Sequence, residues 1–78
     1  MPKAKPFMVM SFHTTTEAMT MQQLGKEQGL LGRLAPIPRK LSAGCGLAWL
    51  EPAENEATLK RLLSEYSLEY EQLCRMDL

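Results

Sequence analysis

The sequence has few of the residues that carry metal or redox chemistry in small domains. Its 78 residues include two cysteines and one histidine, and the cysteines do not form a Cys-x-x-Cys pair. A four-ligand metal site within one chain would need carboxylates to complete it, which argues against a zinc site. Two cysteines are also too few for the disulfide framework of a small secreted domain, so we expect reduced thiols and a cytoplasmic location.

Net charge and long apolar runs are missing as well. Nine basic and nine acidic side chains cancel, so no bulk field favours nucleic acid or an anionic membrane surface. The longest apolar run falls far short of the roughly 20 residues that span a bilayer. No phosphate-cradling loop and no paired acid and base stand out. We therefore expect a single soluble domain over residues 1–78, with residues 1–5 a disordered tail, that is not an enzyme and binds no cofactor, metal, nucleic acid or membrane.

Apolar periodicity predicts the element order β-α-β-β-α-β. The segment from Pro6 to Phe12 is apolar on both alternating faces, as expected of a central strand. Thr14 with Glu17 fits a capping box that begins the first helix, and Gly29 supplies its C-terminal stop. The remaining predicted elements are a strand over Leu30 to Pro38, a strand over Gly46 to Glu51, a helix capped by Asn55, and a strand over Ser67 to Met76.

This order favours a two-layer α+β sandwich of the ferredoxin-like kind, with two helices on one face of an antiparallel sheet. In that topology the third strand lies beside the first and runs against it. Cys45, at the start of the third strand, should therefore lie near His13, at the end of the first. Because two helices cover only one face of the sheet, we also expect a homodimer through the open sheet face.

One cysteine stands in an unusually bare piece of chain. Cys45 lies between Gly44 and Gly46, in a loop that follows the proline-punctuated segment 36–40. A thiol with no bulky neighbour, on backbone that can take a positive φ, can be presented to a partner. Free cysteine is also a common small apolar filler in tight turns, and the residues alone leave both interpretations open.

Several segments together resemble the small selenium/sulfur carrier-like proteins. They are Ser11-Phe12-His13-Thr14, Pro36-Ile37-Pro38-Arg39, Leu41-Ser42 and Cys45-Gly46-Leu47-Ala48. The resemblance implies that Cys45 carries sulfur or selenium, as a persulfide or perselenide, between donor and acceptor proteins. It also implies that Gly44 and Gly46 form the presenting turn, and that Pro36 and Pro38 make the approach to this loop rigid.

A carrier needs a thiolate, which positive charge near the sulfur favours. The free amides at the start of the first helix, beside Thr14, can supply that charge together with His13 and the Arg39-Lys40 pair. Ser42, Arg39 and His13 also match the family pattern. We predict that the pKa of the Cys45 thiol lies below the ordinary value for cysteine.

A second hypothesis from another class is a small dimeric interaction or ligand-sensing module with a structural cysteine. Its glycine loop would contact a partner through backbone amides. Under this hypothesis Cys45→Ser preserves partner binding, whereas Gly46→Val abolishes it by denying the loop its backbone conformation. Cys74 lies outside the motif, and we expect it to be a structural residue of the last strand.

Overall fold

A computed structural model describes residues 5–38, 41 and 46–78, which form one antiparallel sheet and a layer of helices. In chain order the elements are β1 (Pro6–Ser11), α1 (Thr15–Gln28), β2 (Arg33–Pro36), β3 (Leu47–Pro52), a short 3₁₀ helix (Ala53–Asn55), α2 (Glu56–Glu65) and β4 (Gln72–Asp77). The strand order is β2-β3-β1-β4, and each neighbouring pair is antiparallel. This confirms the predicted α+β architecture and is consistent with a ferredoxin-like arrangement.

One face of the sheet packs against both helices and forms the core. Met8, Met10 and Phe12 alternate along β1 and just past its end, and all three lie in one buried cluster with Trp49 of β3. The helices contribute Ala18, Met21, Leu59 and Leu63 to the same cluster. None of the helices in the described residues is long and apolar enough to cross a membrane.

The opposite face of the sheet has a buried centre. Val9, Ser11 and Ala48 each have 0% of their surface exposed, and Phe7 and Leu50 beside them are half-buried. The homodimer prediction assumed that the apolar side chains of this face need cover from a second copy. The central residues of this face are already buried within the chain, so their burial does not support that assumption. The open-face homodimer stays a prediction.

The hydrogen-bond pattern between the strands fixes which backbone groups of the two edge strands point away from the neighbouring strand. Lys5 and Leu78 exchange both backbone hydrogen bonds at 2.9 Å, so every second residue of β4 turns its N–H and C=O away from β1. At the other edge, the Ile37 amide donates to the Gly46 carbonyl at 3.0 Å, one step beyond β2. Pro36 therefore occupies an outward-pointing position of an edge strand, where its missing N–H removes no ladder bond.

The start of β2 differs from its predicted position. The strand begins at Arg33 rather than at Leu30. The amides of Leu31 and Gly32 donate instead to the side chain of Glu51, at 3.0 Å each. A side-chain acceptor has thus replaced the strand partner that the apolar pattern suggested.

The start of β4 is also later than predicted, because of the way α2 ends. Ser67 adopts a left-handed φ of 50°, and the Leu68 amide donates to the Leu63 carbonyl at 3.2 Å. This is the hydrogen bond of a Schellman motif, in which glycine is the usual left-handed residue. The strand therefore begins at Gln72 and not at Ser67. Gly29 ends α1 with a φ of 72°, as predicted.

Candidate functional site

The two described ends of the cysteine loop (residues 37–46) are held together by backbone bonds. Ile37 donates to Gly46 across the β2–β3 ladder, and the Leu41 amide donates to the Pro38 carbonyl at 3.0 Å. Pro36 is exposed at the end of β2, and Pro38 is half-buried. Both prolines therefore lie on a structured approach to the loop.

Four of the predicted site residues lie outside the described residues. They are Arg39, Ser42, Gly44 and Cys45. The site is therefore defined by the residues that flank it in the sequence and by the neighbouring end of β1.

Gly46 has the backbone conformation that a tight turn demands. Its φ is 72°, and an added Cβ would meet no atom within 4 Å. Glycine is thus favoured here by conformation and not by lack of space, since other L-residues adopt this φ only at a cost. Gly46 is exposed and is bonded directly to Cys45.

The end of β1 lies level with the start of β3. Ser11 pairs with Ala48, and continuing this register by two residues sets His13 level with Gly46. Both residues are exposed at this end of the sheet. The strand pairing therefore brings His13 and the start of α1 to the end of the sheet where the chain emerges from Cys45.

Glu17 binds the polar groups at the start of α1. Thr14 Oγ1 accepts a bond from the Glu17 amide at 3.2 Å, which is the predicted cap. Glu17 Oε1 accepts from the His13 backbone amide at 2.8 Å and lies 3.2 Å from His13 Nδ1. The bond from the His13 amide is the main cause that lowers the pKa of Glu17, and the His13 ring adds to it.

This arrangement changes the electrostatics expected at the site. In the predicted capping box the Glu17 carboxylate would bind the amide of Thr14, whereas its shortest bond is to the preceding residue, His13. The amides in the first turn of α1 still lack intrahelical acceptors and favour negative charge nearby. The ionised Glu17 beside these amides offsets part of their positive potential. Glu17 also contacts the His13 imidazole, which was expected to add to that positive potential.

A buried carboxylate that the sequence reasoning did not single out lies at the other end of the sheet. Glu51 has 0% of its surface exposed. Its Oε1 accepts from the Gly32 amide at 3.0 Å and from Trp49 Nε1 at 2.8 Å. Its Oε2 accepts from the Leu31 amide at 3.0 Å and from Asn55 Nδ2 at 2.7 Å. Four donors match the lone pairs of a carboxylate, so these five residues (the Glu51 cluster) form a satisfied structural unit.

The Glu51 cluster includes the side chain that was predicted to cap α2. Asn55 stands at the N-cap position, as predicted, but its side chain makes no capping bond, and its Nδ2 donates to Glu51 Oε2 at 2.7 Å. The signal for the cluster was present in the alternation of β3. Trp49 and Glu51 are two residues apart and therefore share a face, so a Trp49 directed at the helices implies a Glu51 directed the same way.

The second cysteine lies in the predicted strand. Cys74 is a free, half-buried residue of β4, paired in register with Val9. Within residues 5–38, 41 and 46–78, no group of three or more His, Cys, Asp or Glu side chains is arranged to hold a metal ion.

Comparison with known proteins places the chain in a family. A family model with the description "Putative Se/S carrier protein-like" matches residues 7–75. The match includes the whole cysteine loop and extends through α2 into β4, beyond the segments that carry the resemblance. Searches of curated proteins and of solved structures found no significant match.

Proposed function

Since the chain belongs to the Se/S carrier protein-like family, we propose that it holds sulfur or selenium on Cys45 for delivery to a partner protein. The observation that carries this proposal is a family match that runs through the entire cysteine loop. Cys45 is the cysteine of that loop, whereas Cys74 is part of the sheet. The bound atom would be present as a persulfide or a perselenide.

The proposed transfer balances without an oxidant or a reductant. The Cys45 thiolate attacks the outer sulfur of a donor persulfide, forming a bond from Cys45 Sγ to that sulfur while the donor S–S bond breaks. The donor cysteine leaves as a thiolate. An acceptor thiolate then attacks the same outer sulfur, and Cys45 is regenerated. The chain acts as a carrier between cytoplasmic donor and acceptor proteins and has no turnover of its own.

The flanking geometry supports this role for the loop. Gly46 is exposed at the loop end of the paired strands β2 and β3, and its positive φ turns the chain directly after Cys45. The paired strands hold this end of the sheet in place, so a partner meets a defined surface next to the thiol. Such preorganisation reduces the ordering cost of a transfer complex.

The thiol is proposed to be tuned by two opposing contributions. The first-turn amides of α1 and the positive charges of Arg39 and Lys40 favour the thiolate, whereas the Glu17 carboxylate opposes it. Both α1 contributions come from the end of the sheet that also carries Gly46. The reactivity of Cys45 should therefore respond to the charge of Glu17.

The proposal is tested by intact mass spectrometry after incubation with glutathione persulfide and, separately, with glutathione selenopersulfide. The expected result is one added sulfur or selenium atom per chain, absent in Cys45→Ser. Cys74→Ser is the matched control and should load like the unmodified sequence. An adduct that persists in Cys45→Ser, or one that is lost in Cys74→Ser, would overturn the assignment.

The interaction-module hypothesis makes a different prediction for the same variants. If the thiol is incidental, Cys45→Ser binds the partner as the natural sequence does and Gly46→Val does not. If Cys45 is the carrier, Cys45→Ser loses the transfer step even where binding is intact. Pull-down and transfer assays on one set of variants therefore separate the two functions.

A further inference from the structure

The two edges of the sheet offer different backbone groups to a partner. On β2 the outward-pointing positions are Leu34 and Pro36, and Pro36 has no N–H to donate. On β4 the outward-pointing positions are Leu73, Arg75 and Asp77, and the N–H and C=O of each point away from β1. Prolines protect the β2 edge from further pairing, whereas β4 has none.

Nothing in the described part of the chain lies across the β4 edge. Arg75 and Asp77 are exposed, and on the helix side Leu73 lines an open groove of about 400 Å³. The groove is also lined by Leu63, Leu68 and Tyr70, together with the polar residues Lys60 and Ser64. An uncovered edge of this length beside a partly apolar groove is a template for strand addition.

We propose that β4 pairs with β4 of a second copy of the chain, antiparallel and about a two-fold axis, so that the two sheets become continuous. Ladder bonds form only where outward-pointing residues face each other. The register that meets this condition with matched charge sets Arg75 opposite Asp77 of the partner subunit, and the reverse. Met76 then lies on the axis.

Charge selects this register over its neighbours. A shift by one ladder step in one direction sets Arg75 opposite Arg75 of the partner subunit. A shift in the other direction sets Asp77 opposite Asp77 of the partner subunit. Like charges directly opposite each other destabilise a strand pair, whereas opposite charges stabilise it. In charge, the preferred register therefore has a less favourable alternative on each side.

The resulting interface is isologous and closes on itself, as a two-fold dimer requires. It uses an edge and not the open face that the sequence suggested, and it does not depend on the proposed carrier function. A second copy suits this edge because the edge is self-complementary: one strand supplies both the Arg75 cation and the Asp77 anion.

The interface is tested by sedimentation velocity from micromolar to millimolar concentration, with circular dichroism to check folding. We expect concentration-dependent dimerisation. Arg75→Asp turns two attractive pairs into two repulsive ones and should raise the dissociation constant about tenfold. Asp77→Arg should do the same, and the Arg75→Asp/Asp77→Arg double variant should restore association. Arg33→Asp, an equal charge change on the other edge strand, is the matched control and should have no effect.

Hydrogen exchange provides an independent readout. In the dimer the amides of Arg75 and Asp77 become protected as concentration rises, whereas the outward amide of Leu34 on β2 does not. A monomer throughout the range would overturn the proposal. So would association that Arg75→Asp leaves unchanged and Leu50→Lys on the open face abolishes. A double variant that fails to restore association would overturn the register.

Discussion

The two ends of the sheet are built in opposite ways. At one end the Glu51 cluster ties together the α1–β2 connection, β3 and the start of α2 through four hydrogen bonds to one buried carboxylate. At the other end His13, Thr14 and Gly46 are exposed, and His13 Nδ1 lies 3.2 Å from Glu17 Oε1. The fold thus secures its elements at the end away from Cys45. The exposed end is the one that carries Gly46, the residue bonded to Cys45.

The largest effect should come from breaking the secured end. Glu51→Ala leaves two backbone amides, an indole N–H and the Asn55 amide without their acceptor in the interior. We expect a loss of about 4 kcal/mol in the free energy of unfolding, a large part of the stability of a domain this small. Urea denaturation measures it.

The control for this substitution lies three residues along the chain. Glu54 is exposed in the 3₁₀ helix, so Glu54→Ala should change the free energy of unfolding by about 0.5 kcal/mol or less. Under conditions where Glu51→Ala is folded, its Cys45 should still load sulfur. If Glu51→Ala were as mild as the control, the four bonds would contribute little and the contrast between the two ends would fail.

The architecture could be predicted because its signals are local. Short segments that are apolar on both faces marked β1 and β3, and the Thr14 cap and the Gly29 stop bounded α1. The strand order then followed from the ferredoxin-like topology. The Glu51 cluster joins segments about twenty residues apart, and the alternation of β3 shows which way Glu51 points but not which groups it binds. An added Cβ on Gly32 would overlap the Leu50 carbonyl. The sequence shows a glycine there but not the strand packed against it.

The site was predicted less completely than the fold. The glycines on either side of Cys45 made it the candidate thiol, which stays a prediction, and the strand order brought His13 and Gly46 to one end of the sheet. The electrostatic effect of Glu17 at this end of the sheet could not be predicted from the sequence. A capping-box pattern identifies Glu17 but does not show which groups its carboxylate binds. Its bond to His13 depends on how the chain enters the helix, which the residue types alone do not specify.

A second prediction compares two glycines with the same conformation. Gly46 and Gly29 each have a φ of 72°, and an added Cβ at either would meet nothing within 4 Å. Valine at either position should therefore lower the free energy of unfolding by about 1–2 kcal/mol through backbone strain alone. Sulfur loading should fall only in Gly46→Val, because Gly29 lies at the far end of α1.

The control is Gly46→Asn, since asparagine tolerates the left-handed conformation better than other non-glycine residues. Loading measured by intact mass should recover most of the natural level in this variant. Equal loss of loading in Gly29→Val and Gly46→Val would mean that global stability, and not the loop, controls the thiol.

The smallest effect on stability concerns the carboxylates in the first turns of the two helices, Glu17 and Glu56. The pKa of Glu17 is lowered mainly by the His13 amide, and that of Glu56 mainly by Lys60, with Arg75 adding to it. A lowered folded pKa means that the ionised form stabilises the fold above the unfolded pKa and that this contribution is lost as pH falls through the folded pKa. Glu17→Gln and Glu56→Gln should each be slightly less stable than the natural sequence at neutral pH and equal to it in strong acid, as thermal denaturation at several pH values would show.

The same pair of variants tests whether the exposed end tunes the thiol. Glu17→Gln removes a negative charge from the end of the sheet that carries Gly46, so it should lower the pKa of Cys45 and raise its alkylation rate near neutral pH. Glu56→Gln removes an equal charge from α2 and should leave that rate unchanged. Iodoacetamide labelling against pH, in a Cys74→Ser background, measures both. Because each variant removes one carboxylate from the first turn of a helix, and their stabilities are measured separately, a difference in alkylation rate reports distance from Cys45. Equal rates would mean that Cys45 lies too far from α1 for the helix to activate it.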